Sequence, residues 1–141
     1  MLSWKEYLSK GTVRKAILNK GMIKSLLAMA DNRLGVFAKL KPDQNNASVL
    51  FTNYYDALRE ICEAIALKEG YKIYQHEAIG LFLRDIMHED LIFMKFDRFR
   101  IMRNRAHYYG AMIPFAEAVE GIDAMKDLIE ELKAKYMQEY A

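Results

Sequence analysis

Apolar residues return every three or four positions through nearly the whole chain, and only two prolines and seven glycines interrupt them. That spacing matches the turn of an α-helix and not the two-residue alternation of a strand. Each such stretch carries an apolar stripe too wide to leave in water, and the connections are short. Helices packed against one another satisfy both conditions, which predicts an all-α, antiparallel up-and-down bundle of four or five helices.

The pattern divides as follows. A short helix follows Ser3, whose hydroxyl can cap it, with Trp4, Tyr7 and Leu8 turned inward. Val13, Ile17, Ile23, Leu26, Leu27, Ala30, Leu34 and Phe37 predict one long helix, or two collinear ones broken near Gly21, ending before Pro42. The polar segment KPDQNN is a loop. A second long helix runs from Ala47 or Ser48 to Lys68 and stops at Gly70. It absorbs VLFTNYY, the best strand candidate in the chain. A shorter helix begins near His76 and passes Ile86, a fourth runs from near Asp90 to Gly110, and a fifth opens at Pro114 and continues through Tyr136.

A chain of 141 residues makes one domain, 1–141, with no repeat or linker to divide it. Its single cysteine, Cys62, excludes an intrachain disulfide and falls in an apolar helical pattern, so it reads as core. No apolar run reaches the roughly 18 residues a membrane span needs. The opening MLSWKEYLSKG lacks the apolar stretch of a secretory signal, so the expected setting is the cytoplasm, with no membrane partner. A net charge of +2 does not announce a nucleic-acid binder. The distribution says more: Lys95 to Arg105 holds five cations against one acid, Asp97, while Glu117 to Glu139 leans acidic.

The basic stretch ends in RIMRNRAHYYG, Arg100 to Gly110. At about 100° per residue, Arg100, Arg103, Asn104 and His107 project within an arc of roughly 100°. Phe99, Met102, Ala106 and Tyr109 fall on a neighbouring stripe that can enter the core, which sets the polar group at the edge of a groove. Arginine presents a planar fork of donors that matches phosphate oxygens in pairs. Histidine titrates near neutrality and can take or return a proton, and nearby guanidinium charge favours its neutral, base-competent form. Asn104 can orient the imidazole or contact the phosphate. In RNA the 2′-hydroxyl beside the phosphate is an internal nucleophile, so a base and a cationic clamp suffice without metal or cofactor. Catalysis, a basic binding surface and a merely solvated helix face all remain open on this spacing.

The same stretch resembles the signature of the HEPN superfamily, small helical domains found with nucleotidyltransferases and in RNA-cleaving toxins. That signature is an arginine, four to six residues, then histidine, often with tyrosine one residue further. Six residues separate Arg100 from His107, and Tyr109 fills the tyrosine position. Asn104 is the polar residue commonly carried between them, and Arg103 shares the face at a shorter spacing. Asn53 to Ile79, NYYDALREICEAIALKEGYKIYQHEAI, is similar in texture to the central helix and following turn of archaeal and bacterial members. The resemblance implies a homodimer in which two copies of the motif line one cleft. It further implies a metal-independent endoribonuclease of toxin type with RNA as substrate, paired with a minimal nucleotidyltransferase antitoxin. In some such pairs the partner adds AMP to the tyrosine of the motif, here Tyr109. The alternative is a non-catalytic subunit that binds a nucleotide or the nucleotidyltransferase.

Other polar residues have plainer readings. His76 sits where a helix should begin and reads as a capping or turn-fixing residue, with proximity to the cleft as the alternative that the family resemblance implies. His88, Glu89 and Asp90 read as a loop and helix start, because no second cluster stands at metal-ligand spacing. Glu60 and Glu63, with Arg59 and Lys68 as local compensation, read as solvated acids or as ion-pair partners of the motif arginines. The acids of the last helix read as a solvated face, with docking to a basic partner as a second use.

Overall fold

The computed structural model describes residues 2–110 and 112–140; the side chains of Tyr108 and Tyr109 lie outside the described residues. Six α-helices and one two-stranded ribbon are present among them: α1 (Trp4–Lys10), β1 (Val13–Lys15), α2 (Lys20–Phe37), α3 (Ala47–Lys68), β2 (Tyr71–Ile73), α4 (His76–Leu81), α5 (Asp90–Tyr109) and α6 (Phe115–Tyr136). The chain is an all-α helical bundle.

Local chemistry sets several helix ends. Ser3 Oγ accepts from the Glu6 amide while Glu6 accepts from the Ser3 amide, a reciprocal capping box that opens α1. Asn19 Oδ1 accepts from Met22 N at 3.0 Å and opens α2. Before α3, Asp43 Oδ1 accepts from the amides of Asn45 and Asn46, which turns KPDQNN into a fixed loop. Gly110 closes α5 at φ 63°, the left-handed conformation glycine adopts without penalty.

α3 is the axis of the fold. It is buried on most of its circumference, with α2 and α6 packed along it and α4, α5 and β2 against its remaining sides. Tyr55, Phe51, Leu58, Ile61 and Ile65 are fully buried there, and each such side chain contributes about 1.5–3 kcal/mol relative to exposure. Cys62 is fully buried as well, and burial pushes its thiol well above the usual range. It is a core residue, as its pattern predicts.

One expectation fails. The residues from Val13 do not continue a helix into α2; Val13–Lys15 forms β1, which pairs antiparallel with β2 in the register Val13↔Ile73, Arg14↔Lys72 and Lys15↔Tyr71. Ala16 N donates to Gly70 O at 2.8 Å and Tyr74 N to Thr12 O at 2.9 Å, extending the ribbon at both ends. Gly11 and Gly70, at φ 76° and 91°, make the reversals that bring two remote segments together. The predicted third helix also departs from ideal: α4 runs into a π-helical turn over Phe82–Ile86, which ends before His88 at φ 58°. Glu89 then binds Lys135 Nζ at 2.6 Å and the Tyr136 hydroxyl, tying the start of α5 to the end of α6. His88, Glu89 and Asp90 are thus loop, fastener and helix start.

α3 and α6 approach closely because residue 121 has no side chain. A Cβ built on Gly121 would fall 2.6 Å from Cε2 of the fully buried Phe51. Helix propensity favours alanine over glycine by about 1 kcal/mol, whereas forcing an extra carbon into a packed core costs about 1–3 kcal/mol. Gly121→Ala is therefore expected to lower stability by about 1 kcal/mol net in a urea or thermal melt. A variant more stable than the parent would show that Phe51 can move aside.

Candidate functional site

Helical geometry brings Arg100, Arg103 and Asn104 to one flank of α5, as predicted, and that flank faces the start of α4. Together with Tyr74, Gln75, His76 and Glu77 they line a groove of about 360 Å³. Phe96 and Phe99 on the adjacent stripe are buried, and Met102 and Ala106 pack against the core, which fixes how α5 is rotated. The predicted stripe thus enters the core at Phe99, Met102 and Ala106; Tyr109, its last member and the expected modification site, has a side chain outside the described residues.

The two arginines of the groove are held. Asp97 Oδ1 takes both Nε and Nη2 of Arg100, at 3.0 and 2.9 Å, one helical turn back. Arg103 lies with its guanidinium carbon 5.9 Å from the centre of the Tyr55 ring and its Nη1 3.5 Å from Asn104 Oδ1. Tyr55 comes from α3, so the central helix supports Arg103 from beneath. Burial first, then the neighbouring Glu77, raises the pKa of the Tyr7 phenol of α1, so that hydroxyl stays protonated beside the groove's acid. His107 is exposed on the last turn of α5, and it is not among the residues that line the groove.

For His76 the second reading, a place near the cleft, describes the structure better than the first, a helix cap. The residue opens α4, but its ring makes no capping bond; Nδ1 lies 3.3 Å from the Tyr55 hydroxyl, with the two rings tilted at 50°. Burial first, then the guanidiniums of Arg59 and Arg103, lower its pKa to about 4, against a smaller opposing pull from Asp56. His76 is therefore neutral at physiological pH. Burial also raises the Tyr55 phenol well above its usual range, so the pair remains an uncharged hydroxyl and imidazole. No spacing rule could have found this contact, because α3, α4 and α5 each contribute one member.

One further expectation is corrected, while the local compensation of Glu63 by Arg59 is observed. Glu60 and Glu63 do not pair with the motif arginines. Glu60 is buried at 2% exposure and binds Arg33 Nε of α2 at 2.8 Å, while Glu63 binds Arg59 Nη1 at 3.0 Å one turn away on α3. Burial is the largest influence on Glu63 and raises its pKa even against Arg59.

The four arginines of the basic stretch divide between two flanks. Arg98 and Arg105 border a shallower depression of about 710 Å³ between α5 and α6, floored by Phe93, Met94, Ile101 and Met102. There Arg98 lies 3.8 Å from Glu120, and the acids of α6 are exposed, as expected of a solvated face. Only Arg100 and Arg103 reach the polar groove. Among the described residues no three His, Cys, Asp or Glu side chains converge as a metal site, and no helix is long and apolar enough to cross a membrane.

The chain matches no protein-family model, no curated protein and no solved structure. What it does must be read from the site's own chemistry.

The His76 pKa has a consequence for stability. An unfolded histidine titrates near 6.5, so between about pH 6.5 and 4 the unfolded chain binds a proton that the folded site refuses. His76 thus favours the fold fully above about pH 6.5, and that contribution is lost as the pH falls towards about 4. Replacing it by a group that does not titrate, His76→Gln, is expected to flatten the dependence of melting temperature on pH across that window, whatever it does to the absolute value. Parallel profiles for parent and variant would show that His76 is not the titrating group.

Proposed function

We propose that the chain is a metal-independent endoribonuclease of HEPN toxin type, working in the cytoplasm as a homodimer and neutralised by a minimal nucleotidyltransferase. The observation that supports this most is the groove in which Arg100, Arg103 and Asn104 stand together beside solvent, with His107 one turn further along the same helix. In this reading Arg100 and Arg103 hold the scissile phosphate and offset the charge that builds on its oxygens. His107 takes the proton of the adjacent 2′-hydroxyl, whose oxygen attacks phosphorus. The P–O5′ bond breaks, the leaving oxygen gains a proton, and a 2′,3′-cyclic phosphate and a 5′-hydroxyl end result. A second copy of the motif in the dimer supplies the acid for the leaving group while the first acts as base. Neutralisation by AMP transfer to Tyr109 follows from the family resemblance.

One observation favours a non-catalytic module instead. Asp97 already satisfies Arg100 at two nitrogens, so a phosphate must compete with a carboxylate for that fork. A subunit that used the basic flank only to hold a nucleotide or a nucleotidyltransferase would accept this pairing.

Incubation of purified protein with total RNA under EDTA separates the two. Cleavage is expected from the parent chain. His107→Ala should lower the rate by at least about a hundredfold, the lower end of what general acid–base catalysis contributes. Arg103→Ala should weaken it comparably while leaving size-exclusion behaviour unchanged. An intact RNA pool with parent protein, together with a stable nucleotidyltransferase complex, favours the binding module.

A further inference from the structure

Between Tyr7 and Ala30 the chain carries Lys10, Arg14, Lys15, Lys20 and Lys24 and neither Asp nor Glu. Strand pairing concentrates this charge, because the register sets Arg14 directly opposite Lys72. Like charges facing across two strands destabilise the pairing. Among the described residues neither is offset by an ion pair with a carboxylate. Both instead sit over one aromatic ring: the Arg14 guanidinium carbon and Lys72 Nζ each lie 5.4 Å from the centre of Tyr74. Arg14 Nε is steadied by Gly11 O at 3.2 Å.

Alternation along the strands separates two faces. Val13 and Ile73 turn inward and are buried, while Arg14, Lys72 and Tyr74 share the outer face, with Tyr74 52% exposed. Tyr74 is also a wall of the groove that holds Arg100, Arg103 and Asn104. The ribbon and the motif flank are therefore one continuous surface, cationic at both ends with an exposed ring at the junction. Glu77 is the groove's one acid against two arginines, and it lies beside the Tyr7 phenol. An exposed ring beside unpaired cations adds nothing to a core, but it is the composition of a platform for unpaired bases.

We propose that the outer face of the ribbon continues the groove as a binding track for single-stranded RNA, with a base stacked on Tyr74 and the flanking phosphates held by Arg14 and Lys72. The proposal deepens the nuclease reading and rests on it for the choice of RNA. A base arriving at the ring displaces one of the two cations, which turns to the neighbouring phosphate; stacking outweighs an exposed cation–π contact. A duplex presents no unpaired face to the ring. An acidic peptide would meet the cations but leave the ring without a stacking partner.

The test is fluorescence anisotropy of the intact protein with a short labelled single strand, 2′-O-methylated so that no cleavage can occur, over a range of salt. Tyr74→Ala is expected to weaken binding by about tenfold, and Tyr74→Phe to retain it. Because Tyr74 and Arg14 are exposed, circular dichroism spectra of the variants should keep the parent's helix content. The double variant Arg14→Gln, Lys72→Gln should lower the slope of log affinity against log salt by about 1.4, at roughly 0.7 for each phosphate contact on a single strand. Parent-like binding by Tyr74→Ala with an unchanged slope in the double variant overturns the track. So does equal affinity for a duplex of the same length, or no binding by the parent. Reduced binding in these variants without any RNA cleavage by the parent keeps the track and removes the nuclease; cleavage with unaltered binding does the reverse.

Discussion

Everything in this fold is arranged around a helix that has almost no wet side. α3 is apolar around most of its circumference, which an isolated surface helix cannot be, so other elements must cover it. Its one charged group in the interior, Glu60, at 2% exposure, makes this demand specific as well as large. A carboxylate there is tolerable only beside a cation, and Arg33 of α2 provides one at 2.8 Å while also reaching Asn53 and, at 3.9 Å, Asp56. That cluster fixes how α2 is rotated against α3. On the other side, the bare backbone at Gly121 lets α6 come close enough to enclose Phe51.

The groove inherits its geometry from the same helix. Tyr55 leaves α3 fully buried, yet its ring lies beneath Arg103 and its hydroxyl meets His76. One side chain thus holds together residues from α4 and α5. The electrostatic result is asymmetric: the guanidiniums of Arg59, Arg100 and Arg103 surround an uncharged hydroxyl and imidazole, and two of the nearby acids are engaged, Asp97 by Arg100 and Glu63 by Arg59. The groove thus sets two guanidiniums against one lining carboxylate, Glu77, a balance that favours an anion.

Helices were legible in the sequence because period and punctuation agree. Ser3 with Glu6, Gly70, Gly110 and Pro114 all stand at or beside observed ends, and the stripe through Leu50, Tyr54, Leu58, Ile61 and Ile65 is the observed core face. The ribbon was not legible. Three residues are too few to show a two-residue period, and Val13 happens to continue the helical spacing of α2. Its partner strand lies on the far side of two long helices, so pairing is decided by where α3 ends and not by local preference. The same reason explains the site. Arg100, Arg103 and Asn104 share one helix, and their common flank follows from 100° per residue. His76 joins them, and Arg33 captures Glu60, only through contacts across helices, which spacing along one chain cannot encode.

The position of His107 separates two jobs that the linear motif had merged. Arg100 and Arg103 belong to a groove walled by α4, whereas the imidazole is exposed on the final turn of α5, beyond that wall. A clamp and a base on one helix can serve one phosphate only if the strand runs along α5 from the groove, or if a second chain brings its own α5 alongside. The ribbon bears on this choice. Tyr74 lines the same groove as Arg100, Arg103 and Asn104, so a strand stacked on its ring, as proposed above, would meet those residues next and would still have to extend along α5 to reach His107.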